Sequence, residues 1–449
     1  MVFFFDELDT GMDFFNSLAE THGADPYGIY HTLYTPLCNL FFLILQMMVP
    51  VTVSSLWPDT HYEMTGLRQT ADDIRKEQSC LLIYLCYLVC LSFLWILLTS
   101  CKYHREHAGS VWGTVIGGLS FLSHGNLTAI ERGNVVNMTA FFVMAFLFMY
   151  RSDRRVLREL SYICLAIAAG LRIYPAIFGI LLISGRDWTG VAKSMVYGIA
   201  AFILPTFALG GISVLPEFIH QVIAFNTGSE IYAYYYGMKN MVYHAVGYLT
   251  QSAYNAVQMY ASHEAATAGT GQEAHELQLS AAGGSDIYAA SGFFNDWGIP
   301  FLGDGVMPTG GVLDSVSNVL LVAACVILLA VYHFHDRLWL KTLDITIVMI
   351  LVQTGSYDYV LVFFVPSLVL MLLEEERADY GNFLCILVLF SLTLPYPTLF
   401  VHTSRYLTLM RSTAMQILLI TYIIFQIKHV PHVLHEIECR MWLWVWNTI

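Results

Sequence analysis

Residues 124–150 read HGNLTAIERGNVVNMTAFFVMAFLFMY, and residues 151–184 continue RSDRRVLRELSYICLAIAAGLRIYPAIFGILLIS. Glu131 and Arg132 border one apolar run, and Arg172 sits in the middle of another. Charge at bilayer depth is costly unless it faces a polar cavity or a ligand. Between the two runs, Arg151, Arg154, Arg155 and Arg158 make a basic turn of the kind that stays on the cytoplasmic side. The stretch therefore predicts membrane-crossing helices with polar spots on one side and a basic turn on the other.

The rest of the chain agrees with that class. It is 57% hydrophobic and 12% charged, about half the charge of an ordinary soluble domain. The 27 Tyr and 28 Phe suit helices that cross two interfaces. A net charge of -13 offers no basic surface for nucleic acid. The nine cysteines lie mostly in apolar runs without C-x-x-C spacing, which reads as small buried hydrophobes rather than disulfides or zinc ligands.

In chain order, residues 6–35 carry Asp6, Glu7, Asp9, Asp13, Glu20 and Asp25 with no Lys or Arg, and residues 1–35 read as an acidic outer loop. No span precedes that loop to export it, so the charge bias expects a further helix upstream of Met1, with VFFF as its outer end. Residues 36–57 have the length of one span, followed by Arg68, Arg75 and Lys76 inside. Residues 80–100 return outward, 111–122 form a partly inserted helix leading to His124, and 135–150 cross inward. Arg186 and Lys193 follow residues 160–184 directly, so that run is expected to be a broken pair of half-helices joined near 170–175. Residues 195–211 cross outward. Residues 214–310, with Lys239 against eight acidic residues, read as a long exterior loop that is Ala/Gly/Ser-rich over 261–285. Residues 312–332 cross inward, and 345–373 form a second broken pair interrupted by QTGSYDY. Residues 383–394 and 415–427 complete the count, with an interfacial tail bearing Trp442, Trp444 and Trp446. The expectation is a single all-α polytopic domain over 1–449, with about 8–11 transmembrane or half-membrane helices.

The outer side then gathers Asp13, Asp25, His124, Glu131, Arg132, Asn134, Arg172 and Asp358. Carboxylates mixed with arginines near bilayer depth suit an anionic amphiphile with a phosphate head, the arginines binding phosphate and a carboxylate acting as base. Plainer readings stand beside this. Glu131 and Arg132 could solvate a loop, Asp358 could be a turn residue, and the NLT and NMT sequons at Asn126 and Asn137 could be chance. Arg172 lies too deep in its run for easy snorkelling.

The run ERGNVVN at 131–137, followed by a basic turn and AIAAGLRIYPAIFGILLI at 166–183, resembles family 87 glycosyltransferases, which are GT-C type membrane enzymes. Gly133, Asn134 and Asn137 fall on the family's Gly-Gln/Asn-x-x-Asn pattern, and Arg172 and Pro175 on its Lys/Arg-x-x-Pro pattern. Residues 11–42, with Asp13 at the acidic position and a Tyr-x-Pro-Leu, are similar to the family's first outer loop. The resemblance covers about residues 10–210. It implies transfer of a sugar, often mannose, from a polyprenyl-phosphate donor to a lipid-linked or polysaccharide acceptor, on the exterior face of a bacterial plasma membrane. In these terms Asp13 is the base and Arg132 and Arg172 hold the donor phosphate, while Glu131, Gly133, Asn134, Asn137, Tyr174 and Pro175 shape the site. No cofactor is called for, although a divalent metal could be bound. A transporter or flippase of lipid-linked sugars is the alternative, since broken helices with charges at the breaks also serve transport.

Overall fold

The computed structural model describes residues 10–22, 26–27, 32–54, 74–106, 111–228, 231–232, 236–243, 245–246, 306–307, 312–353, 357–373, 388, 393 and 404–427. Asp6, Asp9, Asp25, the 261–285 segment, the Trp-bearing tail and nearly all of 383–394 lie outside the described residues. Among the described residues the chain is helical apart from one short strand pairing, and it divides into two compact units. One comprises Met1–Thr227, Ile327–Met349 and Tyr357–Ile449, and the other comprises Gly228–Val326 and Ile350–Ser356.

The first unit opens with α1 (Met12–Glu20), α2 (Pro36–Gln46), α3 (Val51–Ser54) and α4 (Gln78–Glu106). The single span expected over 36–57 is instead two short helices. Pro50 lacks an N–H and disfavours helical geometry in the residue before it, so α2 ends at 11 residues. α4 is 29 residues long, and its most apolar window is only 17% buried within the protein, as a helix facing lipid should be. α5 (Trp112–Phe121) is too short to cross, as its sequence indicated. It leads through Ser123 into α6 (His124–Arg132) and α7 (Val136–Met149).

The basic turn folds α8 (Arg155–Leu171) back along α7. The expected break falls where the sequence put it. Arg172 is extended (φ -146°, ψ 132°), followed by a 3-10 turn at Tyr174–Gly179 and α9 (Ile180–Ser184). The next span starts earlier than residue 195, with α10 (Trp188–Ile203) capped by Asp187, whose carboxylate accepts from Gly190 N at 2.9 Å. Lys193 thus sits inside the helix, its charge met by Glu159 on α8. α11 (Val214–Gly228) follows. In the second unit Ile231–Tyr232 pairs antiparallel with Val306–Met307, and Lys239 and Tyr243 both contact Asp314.

α12 (Val312–Phe334) and α13 (Leu338–Val352) precede the second break, a 3-10 segment at Asp358–Phe364 that runs into α14 (Val365–Leu373). α15 (Ser404–Ile427) starts well before the span expected at 415. Among the described residues three helices are long and apolar enough to cross a membrane alone: Gln78–Arg105, Trp188–Ala208 and Leu313–His333. Of the seven described cysteines, Cys38, Cys80 and Cys164 are buried, whereas Cys86, Cys90 and Cys101 are exposed along α4.

Packing rather than water exclusion holds helices together in lipid, so close-approach residues count most. Gly125 on α6 lies against the 3-10 segment, and a Cβ there would stand 2.1 Å from Val362 N. Gly125→Ala should therefore cost about 3 kcal/mol, read as a lower melting temperature in detergent. Gly118→Ala, where a Cβ meets nothing within 4 Å, should be neutral or slightly stabilising.

Candidate active site

The site begins with two glycines. Gly11, at φ +71°, caps α1 and donates its N–H to the Glu131 carbonyl at 2.7 Å. Gly133, at φ +77°, ends α6. A Cβ on Gly133 would lie 2.8 Å from Gly11 O and 2.9 Å from Phe14 Cβ, so both its backbone angle and its crowding call for glycine. The start of α1 is in this way clamped against the end of α6. Arg75 adds a 2.7 Å bond from Nη1 to the Thr10 carbonyl, and Tyr84 on α4 donates to the Ile130 carbonyl.

α1 is amphipathic, and its apolar face fixes which way Asp13 points. Phe14 and Phe15 are buried against Phe42, Tyr84 and Tyr87 in one aromatic cluster. They anchor the helix. Asp13 turns to the other side, where Oδ1 accepts from Arg132 Nε at 2.8 Å and Oδ2 from Asn134 Nδ2 at 2.6 Å. Asn134 Oδ1 accepts from Arg172 Nη2 at 2.9 Å and from Val136 N at 3.0 Å. With its amide donating to a carboxylate and its carbonyl accepting from a guanidinium, Asn134 has one allowed orientation.

The four residues form a continuous chain, Arg132 to Asp13 to Asn134 to Arg172. The Arg172 guanidinium also lies 4.4 Å from the Tyr34 ring centroid. Its backbone is set by Thr35, whose hydroxyl donates to the carbonyls of Gly170 and Leu171. Arg172 Nε is buried without a hydrogen-bond partner among the described residues. Tyr174 and Tyr359 lie within electrostatic reach of Arg172, and Tyr359 also of Asp13 and Arg132. Tyr174 packs edge-on to Phe363 at 5.6 Å, and Pro175 is buried at the start of the 3-10 turn.

Asn137 is not part of this chain. Its Oδ1 accepts from Tyr87 OH at 2.6 Å, tying α7 to α4. Glu131 contributes its backbone carbonyl to Gly11. His124 and Asp358 are both buried and lie 4.0 Å apart, between α6 and the 3-10 segment, so Asp358 is not an exposed turn residue. Asn126 and Asn137 are 0% and 1% exposed, so neither sequon is accessible in the folded chain. Among the described residues no group of three His, Cys, Asp or Glu could hold a metal ion.

Two residues near the cluster had not been singled out for it. Tyr34 stands in the Tyr-x-Pro-Leu already noted, and its ring makes the floor under Arg172. Glu20, two helical turns beyond Asp13, is half-buried. Burial pushes its carboxyl up to about 7 against the Thr32 hydroxyl, which favours the charge, and Asp13 pushes the same way as burial.

These features define an all-α membrane protein with a cluster of one carboxylate, one amide and two guanidiniums at the meeting of α1, α6 and the first helix break. The family model for glycosyltransferase family 87 matches residues 75–271, which include Arg132, Asn134 and Arg172. Over those residues the chain is similar to glycosyltransferase family 87, a family of transferases. No curated protein and no solved structure matches the chain.

Because Glu20 keeps its proton in the folded state up to about pH 7, while an unfolded glutamate releases it near 4.5, the fold loses stability as pH rises across that window. The melting temperature of the purified protein should fall between pH 5 and pH 8. Glu20→Gln should flatten that part of the profile and melt higher than the wild type at pH 8.

Proposed function

We propose that the chain transfers a sugar, with mannose the first to try, from a polyprenyl-phosphate donor to a lipid-linked or glycan acceptor. The reaction takes place on the exterior face of a bacterial plasma membrane. The observation that carries this reading is the Asp13–Arg132–Asn134–Arg172 chain, in which a carboxylate and two guanidiniums are held together by one amide.

A lipid-borne phosphate fits the surroundings. An apolar cavity of about 870 Å³ starts at Ile173, the residue after Arg172, and runs between α8, the first break, α9, α10 and α11. Ile177, Ile180, Met195, Ile199 and Phe202 are among the side chains lining it. Such a wall takes a hydrocarbon chain and rejects a free nucleotide sugar.

In the proposed step the acceptor hydroxyl attacks the anomeric carbon as the carbon–oxygen bond to phosphate breaks. Asp13 takes the hydroxyl proton, and the leaving phosphate carries away the electron pair. Asp13 accepts two hydrogen bonds in this structure, but an ionised carboxylate has about four lone-pair sites, so a proton can still be received. Arg172 presents Nε, which has no described protein acceptor, and Arg132 stands across Asp13 from it. Charge growing on the leaving oxygen is then stabilised by groups already in place. Asn134 keeps Asp13 and Arg172 in register.

The test uses the purified full chain with radiolabelled polyprenyl-phosphate mannose and extracted acceptor lipids. Asp13→Asn should lose about a hundredfold to ten-thousandfold in rate with donor binding kept. Arg172→Lys should retain weakened turnover and Arg172→Leu none. Normal turnover by the leucine variant would remove the phosphate role. Near-normal turnover by Asp13→Asn, beside loss in Glu131→Gln, would move the base to Glu131.

A further inference from the structure

The far end of α7, about 21 Å from Asn134 by helix rise, gathers a second polar cluster for which glycosyl transfer at Asp13 has no use. Tyr150 closes α7, and the Arg151 guanidinium lies 5.3 Å from the centroid of its ring. Lys341, in the first turn of α13, lies 5.4 Å from the ring centroid of Tyr332 on α12. The Tyr332 hydroxyl shares a 2.7 Å bond with Ser184 Oγ at the end of α9. Arg151 is within electrostatic reach of Tyr150, Tyr332 and Lys341, so the two rings seat two cations beside each other.

Like charges so placed repel unless an anion joins them. Two carboxylates are near. Asp344 is fully buried and already engaged, with Oδ2 3.1 Å from His335 Nε2 and Oδ1 accepting from Tyr422 OH at 2.6 Å. Asp336 is exposed before α13, within reach of Lys341, and makes no ion pair with it inside 4.0 Å among the described contacts. Tyr150 is 6% exposed, and its hydroxyl lies within hydrogen-bonding reach of the Arg151 side chain. A guanidinium can only donate to that oxygen, so the Tyr150 O–H is left to give to a ligand oxygen.

We propose that Arg151, Lys341 and the Tyr150 hydroxyl bind a phosphate ester, presented as the headgroup of an anionic phospholipid at the membrane face remote from Asp13. A guanidinium fork and an ammonium point charge together suit a phosphate with several open oxygens. Basic pockets between membrane helices hold such headgroups elsewhere. The seat joins the ends of α7, α9 and α12 to the start of α13, so occupancy would brace four helices at once.

Native mass spectrometry of the full chain in detergent, titrated with phosphatidylglycerol or phosphatidylcholine, tests this. Phosphatidylglycerol should be retained in preference, one per chain. Arg151→Gln with Lys341→Gln should lower that affinity roughly ten- to thirtyfold, and Tyr150→Phe severalfold without any change of charge. The Arg155→Gln, Arg158→Gln pair removes the same charge from exposed positions on α8 and should bind as the wild type does. Unchanged affinity in the Arg151/Lys341 variant, or an equal loss in the Arg155/Arg158 pair, would overturn the site. Displacement of the lipid by millimolar inorganic phosphate would overturn the headgroup assignment in favour of a soluble phosphate, whereas retention supports it.

Discussion

The backbone contact between Gly11 and the end of α6 is the constraint on which the site depends. It is a contact of main chain with main chain, made possible because neither Gly11 nor Gly133 carries a side chain. Once it forms, the position of Asp13 relative to Arg132 and Asn134 is set by helix geometry alone. The aromatic cluster around Phe14 then keeps α1 from rolling. A polar cluster is thus positioned by apolar packing on its opposite face, which leaves the polar side chains to pair with one another.

The two helix breaks complete the arrangement in different ways. At the first, the chain leaves helical geometry for a single extended residue, and that residue is Arg172. The freed Gly170 and Leu171 carbonyls are taken up by Thr35, so the break leaves them satisfied while a cation is put where a continuous helix would have buried it in the turn. At the second, Asp358 and Tyr359 enter a 3-10 segment packed on α6, and Tyr359 reaches the same electrostatic neighbourhood. Residues far apart in sequence meet because both breaks fall beside α6 and α7.

Much of this was legible in the sequence for a plain reason: an ionisable residue inside an apolar run is rare and costly, so Glu131, Arg132 and Arg172 announced themselves. The break at 170–175 was legible from Gly and Pro beside charge, and the one near 357 from a polar interruption between two half-length apolar runs. What sequence reasoning missed follows from contacts that leave no such mark. Residues 36–57 looked like one span because hydropathy ignores the missing N–H of Pro50. Phe14 and Phe15 are ordinary aromatics beside Asp13 until helical spacing turns them to the core. Tyr34 is an ordinary aromatic in an aromatic-rich chain until Arg172 is placed above it. Asn137 looked equivalent to Asn134, but Asn134 lies in the turn before α7 and faces the arginines, whereas Asn137 lies in the first turn of α7 and faces Tyr87.

An amide has one giving end and one receiving end, and Asn134 uses both: nitrogen toward Asp13, oxygen toward Arg172. Exchange of that nitrogen for oxygen, which is what deamidation does, would leave the outline of the side chain unchanged. The donor facing Asp13 would then be gone, and two carboxylates would confront each other where one hydrogen bond had been. They would have to share a proton or separate. Chemical ageing at a single nitrogen is therefore enough to convert the tether between carboxylate and arginine into a point of repulsion.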